Sequence, residues 1–136
     1  MKVALESWAY EPTRAHPEDA GLDLRTPFGF VLEPRTAIVI DTGVHVQIPE
    51  GYGGLLVSKS GLNVKNDVTN TGLIDSGYTG SIVVKLYNHG RKELAMPAGG
   101  KISQLVIIPV NTEPVEIVDA IEGGERGSNG FGSSGV

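Results

Sequence analysis

The chain contains no cysteine, so it can form no disulfide, no thiolate-ligated zinc site and no thiol nucleophile. It also lacks an excess of positive charge: 11 Lys and Arg stand against 16 Asp and Glu, a formal charge of −5 at pH 7. Duplex nucleic acid needs a basic face on its partner, so stable nucleic-acid binding is not expected. No apolar run approaches the roughly 20 residues that cross a bilayer. The opening residues, Met1-Lys2-Val3-Ala4-Leu5-Glu6, lack the apolar stretch of a secretory signal. A soluble chain away from the membrane is expected, in the cytoplasm or, for a phage-encoded protein, in the host cytoplasm.

Long uninterrupted segments are missing as well. The 136 residues include 19 Gly and 8 Pro, and no stretch free of both exceeds 11 residues. An average helix fills about 11–12 residues, which leaves scarcely any room for one. What lies between the breaks is β-branched and alternating. Val44, Val46 and Ile48 alternate with His45 and Gln47, and Ile82, Val84 and Leu86 share one face of Ser81–Asn88. Thr36–Asp41, Gly53–Val57 and Ile102–Val110 are the densest apolar runs. Short strands with turn signals about every ten residues predict an all-β sandwich or barrel in a single domain. Residues 123–136 differ: they are rich in Gly and Ser, have no periodicity, and read as a flexible C-terminal tail on a barrel of residues 1–122.

Five short stretches carry the residue types of a chemical site. In the tail, Arg126 offers a bidentate grip on phosphate, Phe131 a ring for stacking, and Ser133 and Ser134 hydroxyl donors, although such a composition also suits a plain disordered end. Val57-Ser58-Lys59-Ser60-Gly61-Leu62 joins a cation, hydroxyls and a glycine after an apolar strand. It reads either as an anion cradle or as a strand-ending turn; it lacks the P-loop spacing, and no helical pattern follows. Gly72–Gly80 is hairpin-like, with Asp75 either a turn former or a carboxylate able to deprotonate a water, and with Tyr78 placed to stack on a sugar. In Gly99–Leu105, Gln104 stands among strand hydrophobics, its amide free to donate to phosphate or to neighbouring backbone. Asp23, between Leu22 and Leu24, is an acid that burial would oblige to find a partner or a function. His16, His45 and His89 are scattered, without metal-ligand spacing, and read as surface or strand residues.

In this order and at these distances, the five stretches resemble the five motifs of the trimeric dUTPases. Ala20–Leu24 is similar to the first motif, Val57–Leu62 to the second, Gly72–Gly80 to the third, Gly99–Leu105 to the fourth and Arg126–Gly135 to the fifth. There are departures. Lys59 stands where the family's Pro-Arg-Ser-Gly has arginine, which keeps the charge and loses the planar fork. Gly100 and Lys101 replace an Asp-Arg pair, Asn129 and Ser134 replace Gly and Thr, and Thr69 holds the place of a base-contacting Asn, with Asn70 adjacent.

The resemblance implies a distorted jelly-roll barrel that assembles as a homotrimer with active sites shared between subunits. It implies hydrolysis of dUTP to dUMP and pyrophosphate with Mg²⁺. Asp75 would activate the attacking water; Asn70, Leu73, Ile74, Tyr78 and Phe131 would bind the nucleoside. Lys59, Ser60, Gly61, Gln104, Arg126, Ser133 and Ser134 would bind phosphate, and Asp23 would stand in the outer shell of the metal. The dCTP deaminases resemble dUTPases in fold, but their catalytic Glu in a Glu-x-x-Asn pattern is replaced here by Lys85 in Lys85-Leu86-Tyr87-Asn88. A non-catalytic, nucleotide-binding regulatory trimer is the remaining alternative.

Overall fold

The computed structural model describes every residue except 133 and 136. As expected, the chain is all-β, with ten strands and a single short helix among the described residues: β1 (Lys2–Leu5), β2 (Gly21–Arg25), β3 (Phe30–Leu32), β4 (Ala37–Gln47), β5 (Tyr52–Val57), α1 (Ser60–Asn66), β6 (Val68–Thr69), β7 (Thr71–Ile74), β8 (Ser81–Asn88), β9 (Leu94–Met96) and β10 (Lys101–Pro109). One sheet has the order β1-β4-β8-β6, a second β2-β10-β5-β7, and β3 pairs with β9 in a small third. All the pairings are antiparallel.

Period-two patterning decides which side chains enter the core. Along β8 buried and exposed residues alternate strictly, so Ile82, Val84 and Leu86 face inward while Val83, Lys85 and Tyr87 face out. They meet Ile40, Val44 and Val46 of β4 and, from the second sheet, Leu22, Leu24, Leu56, Ile102 and Leu105. Each fully buried Leu or Ile contributes about 1.5–3 kcal/mol over an exposed one. At Gly54 the strands approach so closely that a Cβ would lie 2.8 Å from both Ile48 and Leu105.

The two apolar runs Thr36–Asp41 and Val44–Ile48 belong largely to one strand, β4, interrupted by a bulge: Asp41 pairs with Val83, and the next pair is His45 with Ser81. Gly43, in the bulge, has φ 67°, a left-handed conformation that strains residues bearing a Cβ.

Two features differ from the sequence reading. A helix, α1, does follow Lys59. It buries no residue fully and rests only Leu62 against the core, so it leaves no helical periodicity to read. And β10 ends at Pro109, after which residues 110–122 run exposed and without regular structure rather than inside the barrel.

Candidate functional site

The third stretch forms the most suggestive geometry. β7 delivers Leu73 and Ile74 to a tight turn in which the Tyr78 N–H donates to the Asp75 carbonyl, 3.0 Å. The chain then returns as β8. Leu73, Ile74, Asp75, Tyr78, Ser81 and Val83 together line a hollow of about 210 Å³. Asp75 is exposed, and its carboxylate has no hydrogen bond or ion pair among the described residues. An acceptor of this kind, on a rigid turn, is free to take a proton from water. Leu73 and Val83 leave apolar surface open at the same place, and the Tyr78 hydroxyl is anchored to the Ser81 carbonyl, 2.9 Å, which fixes the ring.

A second group gathers around Asp23. On β2 the alternation turns Leu22 and Leu24 inward and Asp23 to the opposite face, yet Asp23 is only 2% exposed. Two ammonium groups cover it: Lys59, which precedes α1, and Lys101, which opens β10 at 2.6 Å. Burial pushes the Asp23 carboxyl up, but the hydrogen bonds from Lys101 and Lys59, with their charges, outweigh it and hold the group below its ordinary value. The partner that a buried acid requires is thus supplied by the second and fourth stretches together. Gln104 lies beside Asp23 in the β10–β2 register, and its amide donates to the Ser58 carbonyl, 3.2 Å, so within the single chain it serves backbone.

Asn70 sits where the chain crosses from β6 in one sheet to β7 in the other. It is buried; its amide donates to Ser103 Oγ at 2.7 Å, and its backbone N–H and C=O both bond the Ser58 hydroxyl, at 2.9 and 3.1 Å. It therefore bolts the second, third and fourth stretches together, a role that its sequence position beside Thr69 does not signal. Its Oδ1 is buried without a partner among the described residues. Thr69 faces elsewhere and meets His89 Nε2 at 2.8 Å.

The remaining expected residues are placed but not gathered. Ser60 and Gly61 open α1, whose Lys59 cap makes no side-chain bond to the first-turn N–H groups. Arg126, Phe131 and Ser134 are exposed, Phe131 fully so, in a tail of successive turns. Ser133 lies outside the described residues.

For magnesium, the donor set decides what fits. No three Asp, Glu or His side chains converge as a cage among the described residues, and both Asp23 oxygens are held by lysines. These residues offer the ion no inner-sphere site of their own, only contacts through water.

Comparison with known proteins agrees with this geometry. The sequence model of the dUTPase family matches residues 9–135. The deoxyuridine 5'-triphosphate nucleotidohydrolase of Tropheryma whipplei is 40% identical over 130 residues, 93% of this chain and 89% of that protein. The protein of the same name from Mus musculus is 33% identical, over 98% of this chain and 83% of that protein. Among solved structures, the dUTPase of Staphylococcus bacteriophage 80alpha with dUPNHPP superposes with a TM-score of 0.92 at 36% identity, covering 99% of this chain and 98% of that one. A mutant dUTPase of phage phi11 of S. aureus, described as coordinating a structural Mg(II) ion, gives 0.81 at 33% identity over 88% and 96% of the two chains. Matched by that family's sequence model over most of its length and 40% identical to a deoxyuridine 5'-triphosphate nucleotidohydrolase, the chain belongs to the dUTPase family.

Proposed function

We propose that this chain is a dUTP diphosphatase, hydrolysing dUTP to dUMP and pyrophosphate. The observation that carries the reading is the free carboxylate of Asp75 at the mouth of the hollow that Tyr78 and Leu73 line. Asp75 takes a proton from water as the water oxygen attacks the α-phosphorus, and the pyrophosphate leaves with the bonding electrons of the bridging oxygen. The fixed Tyr78 ring packs on the deoxyribose and excludes a 2′-hydroxyl, while backbone groups at Leu73 and Ile74 read uracil. Asn70, committed to Ser103 through its amide, supports that wall from beneath.

The phosphates would meet Lys59, Ser60, Gly61, Gln104, Arg126, Ser133 and Ser134, with Phe131 stacking over the base. The exposed tail, with its ring and its guanidinium in water, supports a closing role. We assign the working form to a homotrimer in which different copies supply hairpin, phosphate groups and tail. When bound, Mg²⁺ would neutralise triphosphate charge, with Asp23 holding its water shell. Asp23 also aims Lys59 and Lys101 together. The proposed compartment is the cytoplasm, where free deoxynucleotides are found.

The test is pyrophosphate release from dUTP, dCTP, dTTP and UTP in the presence of Mg²⁺. Turnover of dUTP alone is expected, and Asp75→Asn should lower kcat by about 10²–10⁴-fold while leaving nucleotide binding near that of wild type. Equal losses in binding and turnover would remove Asp75 from the role of base.

A further inference from the structure

The hairpin that carries Asp75 and Tyr78 is gripped on its returning leg by two residues of β4, on either side of the Gly43 bulge. Asp41 accepts from the Ser81 hydroxyl and, at 2.9 Å, from the Gly43 N–H. Four residues on, His45 Nδ1 lies 2.9 Å from the Thr79 carbonyl, and its Nε2 lies 3.2 Å from Glu6 Oε1. Tyr78 is bonded to Ser81 in turn. Two anchors, at 79 and 81, therefore converge on one bulge, and Tyr78 is tied to the second.

The chemistry of the His45 contacts is selective. A neutral imidazole carries one N–H and one lone pair. Here both ring nitrogens face oxygens that can only accept: a backbone carbonyl and a carboxylate. The neutral ring must turn a lone pair toward one of them, whereas the imidazolium satisfies both. We propose that His45 is a positioning residue for the substrate hairpin, holding Thr79 and hence the Tyr78 ring in register, most firmly while it carries both protons and Glu6 braces the ring from its far side.

This rests on reading the hollow at Asp75 and Tyr78 as the dUTP site. The charged groups around His45 are Glu6, which follows β1, Asp41 on its own strand, and Lys2 of β1, which lines the same cleft of about 550 Å³. The Thr79 carbonyl raises the His45 pKa most; desolvation opposes it next, and the Glu6 carboxylate and the Asp41 charge then add to the rise, leaving it above its ordinary value. Asp41 is held below its ordinary value by the Ser81 hydroxyl and the Gly43 N–H, so it stays ionised wherever His45 titrates. The sign follows: the doubly bonded grip is complete below the raised His45 pKa and slackens by one hydrogen bond as pH rises through it.

The experiment pairs two variants. Glu6→Gln replaces the carboxylate with an amide that can donate to a neutral Nε2, so the grip survives with a neutral ring. His45→Ala removes the grip at every pH. NMR titration of the free protein should show the Tyr78 ring signals moving with the His45 titration in wild type, at a pKa that falls in Glu6→Gln. In turnover, the wild-type KM for dUTP should rise about 3- to 10-fold across that pKa, the loss of one hydrogen bond, at unchanged kcat. Glu6→Gln should be flat, and His45→Ala raised throughout; ionisation of the substrate is common to all three and cancels. Tyr78 signals indifferent to His45, or superimposable KM profiles for wild type and Glu6→Gln, would overturn the proposal. The NMR arm needs no substrate: Tyr78 moving with His45 in a protein that turns over no nucleotide would support the grip and reject the dUTP reading.

Discussion

Replacing Asp23 by Asn tests the electrostatic centre of the fold directly. The Asp23 side chain is 3% exposed, against 26% for Lys59 and 36% for Lys101. Removing one member of a buried ion pair costs about 3–5 kcal/mol, because the remaining charge is stranded. The lysines are partly wet and can swing toward solvent, which returns part of that cost, so a loss of about 2–3 kcal/mol is expected. The dependence on pH separates this cause from lost packing. The folded carboxyl lies below its unfolded value of 3.8, so its contribution is fully present above that value and disappears as pH falls through the folded pKa. Urea unfolding at fixed protein concentration should show wild type and Asp23→Asn well separated near neutral pH and converging in acid. A separation that persists unchanged into acid, or a neutral-pH difference under about 0.5 kcal/mol, would refute the charge argument.

Two further outcomes follow from the same geometry. Asn70→Ala should lower stability by about 1–3 kcal/mol by leaving buried Ser103 Oγ without its donor, seen as a lower Tm in calorimetry. Truncation after Gly124 removes Arg126 and Phe131 while leaving every strand in place; the far-UV circular dichroism should be unchanged and kcat/KM for dUTP should fall by at least about 10²-fold.

The strands were legible because alternation is local. Ile82, Val84 and Leu86 announce the inward face of β8 within five residues, and each is buried as the pattern requires. The bulge in β4 was legible only as a gap between two runs, since Gly43 is there for its backbone and not for a face. The helix α1 was invisible because only Leu62 leans on the core, too little to make a periodic face. In the site, the need of Asp23 for a partner could be read from Leu-Asp-Leu, but the identity of that partner depends on β10 lying beside β2 and on Lys59 following β5 on the far side of β10. The same holds for Asn70, which is tied to Ser58 and Ser103 by folding alone. His45 carried no signal, because its partners, Glu6 and Thr79, lie 39 and 34 residues away.

The segment beyond Pro109 has a consequence for how this protein behaves in a test tube. Val115, Ile117 and Ile121 are between 86% and 93% exposed, and the same stretch carries Glu113, Glu116, Asp119, Glu122 and Glu125 with no cation among them. Its aliphatic residues favour contact between copies, while its carboxylates repel at low ionic strength and are screened within about 8–10 Å once salt is added. Under the proposed sharing of the site between copies, turnover per milligram is then set by the solution as much as by the fold, falling away in dilute, salt-poor buffer and recovering as either protein or salt is restored.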